Sequence, residues 1–379
     1  MGAGVLQSVV SRHFKSIESS YANLLGWEQD ISRKAIISEL YAIADSTMSL
    51  NNVGDAWNEL TSERIHTKFF EKSLIEFFAE KYASPGTGIW GCVTPGGTLS
   101  NLQALLNGRN QLNDPVGLYS EMAHHSVKKA FDAIHVPSIP IRADNHGRMD
   151  MDYFESVLSQ TSQDILVNAT IGTTLLGSSD DIMQIKSLLD NRRHYIHGDA
   201  AFFGGYLPFM DHRVDGLHLD CIDSISISGH KFYGLPNPAS LLLINRCRQS
   251  MFGDRLCMTS NIHDTTIVGS RDGHAPLIWW YIINRVGEDG FRKEVEQAFR
   301  IKDILVDALT DMGVAIFPNE SYSLLLPIAQ PKKELLEKYS LPEAEYNGVK
   351  ATRITIMSHV DMDLVERFLN DLTLPRINP

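Results

Sequence analysis

Lys231 stands four residues beyond Ser224-Ile225-Ser226-Ile227, a run that reads as a strand, and directly after Ser228-Gly229-His230. Apolar surroundings and a neighbouring cation both disfavour an ammonium, so a lysine placed here tends toward the free amine. A free amine is a nucleophile that forms Schiff bases with carbonyl compounds. A solvent-exposed loop lysine is the plainer alternative. Asp199, in His197-Gly198-Asp199-Ala200-Ala201, closes another strand-like run that begins at His194. A carboxylate among apolar neighbours needs a partner, because burying it alone is costly. A protonated pyridine nitrogen is one such partner, and a ring held in that state draws electrons from whatever is bonded to it. The two alanines would let a flat ring come close. Read alone, Asp199 could equally be a helix N-cap or a turn residue.

Two further segments carry chemistry. Thr94-Pro95-Gly96-Gly97-Thr98-Leu99-Ser100-Asn101 is a glycine-rich turn that feeds a helix. Such a turn points backbone N–H groups outward at the positive end of the helix dipole, which suits a phosphate. It has neither the Walker A nor the GxGxxG spacing, so a nucleotide is a poor fit. Ala123-His124-His125-Ser126-Val127 opens another helix, where a histidine could stack on an aromatic cofactor or lie on the surface. Singly, each segment has a bland reading. In this order along one α/β region, the phosphate turn, histidine, strand-end Asp and strand-end Lys describe a site for pyridoxal 5'-phosphate.

The elements that would position these residues follow from periodicity. Between about 90 and 275, short β-rich runs (165–170, 194–197, 224–228, 240–244) alternate with helical stretches at 100–110, 125–134 and 181–191. That alternation argues a mainly parallel sheet covered by helices, and the continuously apolar runs fit burial on both faces. Residues 1–58 read as an N-terminal helical arm, 59–275 as the large α/β domain and 276–379 as a small α+β domain. A helix is expected over 63–82 with Phe69, Phe70, Leu74, Phe77 and Phe78 along one face. Further on, a helix is expected over 278–312, strands over 314–318 and 351–357, and a last helix over 361–372. Trp279-Trp280-Tyr281 reads as core or dimer packing.

Composition narrows the partners. Of the 379 residues, 46 are Asp or Glu and 34 Lys or Arg, a net charge of −12 that gives no reason to expect nucleic acid or an anionic membrane. The four cysteines, Cys92, Cys221, Cys247 and Cys257, are too scattered for a disulfide framework or a metal site. The longest apolar run, 277–283, is too short to span a bilayer, and the first residues match neither a secretory signal nor a myristoylation site. A cytoplasmic protein acting on a small molecule is the expectation.

The segments SLNNVGD (49–55), VTPGGTLSN (93–101), AHHSV (123–127), NATIGTTLLGSSDDI (168–182), HGDAA (197–201), SISGHKFYG (226–234) and DTTIVGSRDGHAPL (264–277) resemble, in order, the group II pyridoxal-phosphate-dependent amino-acid decarboxylases. The resemblance is to the branch with bacterial histidine decarboxylases and plant-type serine decarboxylases, and is strongest over about 49–280. It implies fold type I, aspartate-aminotransferase-like, with a mainly parallel seven-stranded sheet in the large domain and a homodimer with its active site at the subunit interface. Lys231 then looks like the cofactor-bearing lysine, Asp199 the partner of the pyridine nitrogen and His124 the ring-stacking histidine, with Ala201 on the opposite face. Gly97, Thr98, Ser228 and His230 match phosphate-binding positions, and Thr170 falls among the cofactor contacts. Asn51, Asn52 and His359 are candidate substrate contacts. The activity implied is decarboxylation of an L-amino acid (histidine, serine or a related side chain) to a primary amine through an external aldimine. No metal is implied.

The chain departs from the family in two places. A tyrosine usual on the loop after the lysine aligns with Thr259, and 251–263 holds no tyrosine, although His263 could donate a proton instead. In this superfamily loss of that tyrosine accompanies aldehyde synthases, which makes decarboxylation-dependent oxidative deamination the alternative on the same site. A binding or structural protein that keeps the fold is a third reading, against which the intact Lys231 and Asp199 speak. In the N-terminal arm, Leu25-Gly26-Trp27-Glu28-Gln29 stands where relatives carry a Gly-Tyr-Pro-Asn type loop, so side-chain recognition could differ.

Overall fold

The computed structural model describes residues 3–57, 65–211, 214–250, 255–257 and 262–373. Seven strands form the main sheet: β1 (Ile89–Thr94), β2 (Val116–Ser120), β3 (Ser138–Ile141), β4 (Ile165–Thr170), β5 (His194–Asp199), β6 (Ser224–Ser228) and β7 (Ser240–Asn245). Their order is β1-β7-β6-β5-β4-β2-β3, and only β7 runs against its neighbours. The mainly parallel seven-stranded sheet is therefore present. Three of its strands, β1 to β3, go beyond what periodicity suggests. β3 carries Pro140, which a sheet accepts because β3 is an edge.

Both faces of the sheet are covered, and they differ in chemistry. Along β4, Ile165, Val167 and Ala169 enter the main apolar core while Leu166 enters a smaller cluster with Leu105, Phe131 and Tyr195. On β6, Ile225 and Ile227 face the main core, and Ser224 and Ser226 are buried on the opposite side. That opposite side is packed by the helix Gly97–Arg109, whose Asn107 donates to Tyr195 Oη at 3.0 Å. Apolar residues of one parity thus hold the sheet to its core. Polar residues of the other parity point at one helix.

The arm consists of the helices Ala3–Tyr21 and Lys34–Ile43 with a non-helical segment between them. The next helix runs Lys68–Tyr82 and buries Leu74, Ile75 and Phe78, but Phe69 is 68% exposed. The single-face expectation is corrected there: adjacent residues differ by about 100° around a helix, so Phe69 and Phe70 do not share a face. Glu71 of this helix is fully buried against Arg271, with Nη2 of the arginine at 2.9 and 3.0 Å from its oxygens. Glu71 also accepts from Asn52 Nδ2 and from Val93 N. A buried pair satisfied in this way fixes geometry more than it adds stability. Here it fastens the ribbon of Asn51–Asn52 and Arg271–Asp272 beside β1.

The long helix His274–Asp311 is broken at Gly287, whose φ of 72° lies in the left-handed region that glycine tolerates. Trp279 on it is wholly buried against Phe78 and Tyr233, with ring centroids 5.5 and 5.3 Å apart, which makes it core. The C-terminal part forms a three-stranded antiparallel sheet of Leu325–Ala329, Val349–Thr355 and Ala344–Tyr346 in the order first, second, third, and its last helix, Met362–Thr373, packs against the helices His274–Asp311 and Lys333–Tyr339. The strand expected over 314–318 is reduced to one bridge, Ile316 with Ile328. Among the described residues no helix is long and apolar enough to cross a membrane.

Candidate active site

The C-terminal ends of the parallel strands converge on one cavity of about 250 Å³. Asp199 ends β5, Thr170 ends β4 and Ser228 ends β6, so β-sheet register alone places them side by side: Thr170 pairs with Asp199, and Asp199 with Ser226. Open α/β sheets bind ligands at this edge. Gly97 and Thr98 reach the cavity from the start of the helix after β1, His124 from the turn after β2, and Ala201, His230 and Lys231 from the turns after β5 and β6. Nine residues singled out in the sequence therefore line a single space.

Asp199 is 6% exposed and its carboxylate is aimed by a buried relay. Asn101 Nδ2 donates to Asp199 Oδ2 at 2.7 Å, and Ala201 N donates to Oδ1 at 3.3 Å. The amide oxygen of Asn101 accepts from Ser226 Oγ at 2.7 Å and from His197 Nε2 at 3.0 Å, which leaves His197 Nδ1 to accept from Ser224 Oγ at 2.9 Å. One arrangement of donors satisfies every member, with a neutral His197 carrying its proton on Nε2. Asn101, His197, Ser224 and Ser226 were not assigned roles from the sequence. Three of them lie inside the motifs, and strand parity is the available signal for His197, Ser224 and Ser226, whereas Asn101 lies on the helix Gly97–Arg109.

His197 also gives a pH prediction. Burial drives its imidazolium down to about 4 from an ordinary 6.5, against the pull of Asp199. Between those values the unfolded chain binds the proton and the folded one does not, so stability is complete above about 6.5 and is lost as pH falls toward 4. The loss amounts to about 3 kcal/mol. Denaturant midpoints measured from pH 7.5 to 4.5 should fall more steeply for the native chain than for His197→Asn, and parallel curves would refute the assignment. The paired comparison is needed because Asp180, raised to about 7 by burial, contributes over this range with the opposite sign.

Lys231 is held 3.1 Å from Glu28, and burial lowers its pKa, with Asp199 pulling the other way. His124 accepts from Ser126 N and shares a 2.7 Å hydrogen bond with Ser126 Oγ, while its ring packs at 4.0 Å on that of His125. Burial, then the charge of His125, lowers its pKa, which favours the neutral ring. His230 is anchored through Nδ1 to Ala239, at 3.0 Å from its O and 3.2 Å from its N. The first turn of the Gly97–Arg109 helix closes through Leu99 N and Ser100 N to Gly96 O, so the Gly97 and Thr98 amides stand at its open end.

Three sequence candidates lie elsewhere. Asn52 is buried and committed to Thr67 and Glu71, and exposed Asn51 sits 3.4 Å from Ser270 Oγ in the β-ribbon. His359 is inserted beneath the arm, with Nε2 2.9 Å from Leu24 O and Nδ1 3.6 Å from Asp30. None of the three lines the cavity. Each polar tip is turned toward backbone or a neighbouring side chain. Thr259 falls outside the described residues, and His263 lies in the short strand Ile262–Asp264. Glu28 does line the cavity, and sequence reading had assigned it no role.

The residues fit pyridoxal phosphate. Thr170 Oγ1 is buried without a hydrogen-bond partner beside the cavity, as a group awaiting a ligand would be. A side chain at Gly97 would fill the cradle: its Cβ would stand 3.2 Å from Ser228 Oγ and 3.9 Å from the Ala201 methyl. Gly97→Val should therefore weaken cofactor binding about tenfold or more, since overpacking of this kind costs about 1–3 kcal/mol. Absorbance titration of the cofactor-free protein measures it, and an unchanged dissociation constant would place the phosphate elsewhere. Among the described residues no cluster of His, Cys, Asp or Glu has the makings of a metal site.

Comparison with known proteins agrees with this chemistry. Residues 72–319 match the family model of the pyridoxal-dependent decarboxylase conserved domain. Serine decarboxylase 3 of Oryza sativa subsp. japonica is 34% identical over 341 residues, covering 87% of this chain and 74% of that protein. Histidine decarboxylase of Vibrio anguillarum is 30% identical over 352 residues, 89% of each. L-methionine decarboxylase of Streptomyces sp. 590 superposes with a TM-score of 0.87 at 19% identity, over 98% of this chain and 95% of the other, which shows a common fold.

Proposed function

The chain belongs to the pyridoxal-dependent decarboxylase family, and from that premise we propose the role of each residue in its site. The activity is pyridoxal-phosphate-dependent decarboxylation of an amino acid, with fold type I architecture. When bound, pyridoxal phosphate supplies the electron sink that makes loss of carbon dioxide from an amino acid possible. Lys231 would supply the amine that holds the cofactor. Asp199, aimed by Asn101, keeps the proton on the ring nitrogen. The Gly97 and Thr98 amides, Ser228 Oγ and His230 hold the phosphate, and Thr170 Oγ1 gains its missing partner from the ligand. His124 and Ala201 would hold the ring from its two faces. The observation that carries this reading is the convergence of Lys231 and Asp199 on one cavity with a phosphate cradle at its edge.

Substrates in the histidine and serine class are proposed from the relatives. A homodimer is proposed from the family resemblance, supported by apolar side chains left exposed on the arm and beyond it, among them Phe14 (60%), Ile43 (75%) and Phe69 (68%). A reducing cytosol is the proposed compartment, in keeping with free thiols at Cys92, Cys221 and Cys247. Borohydride reduction of the loaded protein followed by peptide mass mapping tests the site assignment. The cofactor should be fixed on Lys231; recovery on any other lysine would overturn it. Sedimentation at micromolar concentration tests the dimer.

A further inference from the structure

Among the described residues two carboxylates line the cavity, and the roles proposed above use only Asp199. The other, Glu28, lies in the segment between the two arm helices, and that segment is pinned at both ends. Leu25 N and Gly26 N donate to Tyr339 O at 3.1 Å, Thr355 N donates to Leu25 O at 2.9 Å, and Asp30 N donates to the carbonyl of Lys231 itself at 3.0 Å. Glu28 is thus carried on backbone anchored to the C-terminal sheet on one side and to the cofactor lysine on the other. Its Oε1 pairs with Arg353 Nη2 of the strand Val349–Thr355, and its Oε2 sits 3.1 Å from Lys231 Nζ. The Arg353 side chain is 7% exposed, whereas Glu28 keeps 27% of its surface open.

The two partners differ in what happens to them during the reaction. Arg353 stays. Lys231 does not remain a free ammonium while its nitrogen carries the cofactor, so Oε2 faces the arriving substrate without that donor. A carboxylate oxygen accepts hydrogen bonds and donates none. A substrate side chain bearing an imidazole N–H, a hydroxyl or an ammonium can take the vacated place. A second carboxylate there meets like charge, and an apolar side chain leaves the oxygen unpaired.

We infer that Glu28 reads the substrate side chain, selecting amino acids whose side chains donate a hydrogen bond or carry positive charge and rejecting acidic ones. The inference rests on the decarboxylase site proposed above and adds the substrate class to it. It also gives a physical meaning to the departure of residues 25–29 from the Gly-Tyr-Pro-Asn type loop.

The test compares native protein, Glu28→Gln and Glu28→Asp, each loaded with cofactor, on histidine, serine, lysine, methionine and glutamate. For every pair kcat and KM are measured from released carbon dioxide, and binding of histidine methyl ester, which has no free carboxylate to lose, is measured by calorimetry. The native chain should favour the donor-bearing substrates over glutamate. Glu28→Gln should lower kcat/KM for the preferred substrate about 10- to 100-fold, chiefly through KM, weaken histidine methyl ester binding in parallel and narrow the gap to glutamate. Glu28→Asp keeps the charge and should keep the substrate order, which separates recognition from a folding defect. A native preference for glutamate, or an order unmoved by Glu28→Gln, overturns the role of Glu28 while leaving the decarboxylase standing. Absence of carbon dioxide from every amino acid overturns both.

Discussion

Lys231→Ala is expected to abolish the visible absorbance of the loaded protein and to cut decarboxylation by at least about 10³-fold. Both effects come from one atom. Nζ is the nucleophile proposed to carry the cofactor, and among the described residues no other lysine lines the cavity. The fold should survive, because the side chain lost is a partly desolvated cation whose carbonyl, not its amine, ties down the arm. Glu28 keeps Arg353 as a partner in the variant, so no charge is stranded. Spectrophotometry at fixed cofactor concentration, with the thermal unfolding midpoint as a control, decides it. A variant that keeps its visible band, or turns over within tenfold of the native rate, would mean that the cofactor is held by another residue.

Asp199→Asn carries the second large effect, a loss of about 10²–10⁴-fold in kcat with the cofactor still bound through Lys231. The substitution is nearly isosteric and removes only charge. Asn101 Nδ2 can still donate to an amide oxygen at position 199, so the relay through His197 and Ser224 keeps its geometry. What is lost is the carboxylate that favours a protonated ring nitrogen. Each 1.36 kcal/mol of that preference is worth about tenfold in rate, and about 3–5 kcal/mol is the size of a broken buried charge pair. The expected signature is a split: the dissociation constant of the cofactor moves little while kcat collapses. A kcat within tenfold of native would show that the ring nitrogen is not partnered by Asp199.

The sequence made the cofactor half of this site legible for a physical reason. Glycine turns, strand-end carboxylates and a strand-end lysine are local features, and β-register brings them together once the strands are parallel. Runs such as 165–170 and 224–228 announce themselves by apolar or β-branched residues. β1 and β2 do not, because Gly91 and Gly117 interrupt them where close packing admits no side chain: a Cβ at Gly117 would stand 2.4 Å from the Phe131 ring. The substrate half is a tertiary product. Glu28 enters from 203 residues upstream of Lys231 on an irregular segment, and only the pairing with Arg353 shows that it faces the cavity. Asn52, also inside a shared motif, is tied to the buried Glu71–Arg271 pair and does not line the cavity.

The account stands most directly on the fate of the substrate carboxylate. Loaded protein incubated with carboxyl-labelled histidine and serine should release the label as carbon dioxide in a one-to-one ratio with the corresponding primary amine. Label retained in a 2-oxo acid, or an aldehyde with ammonia in place of the amine, would contradict it.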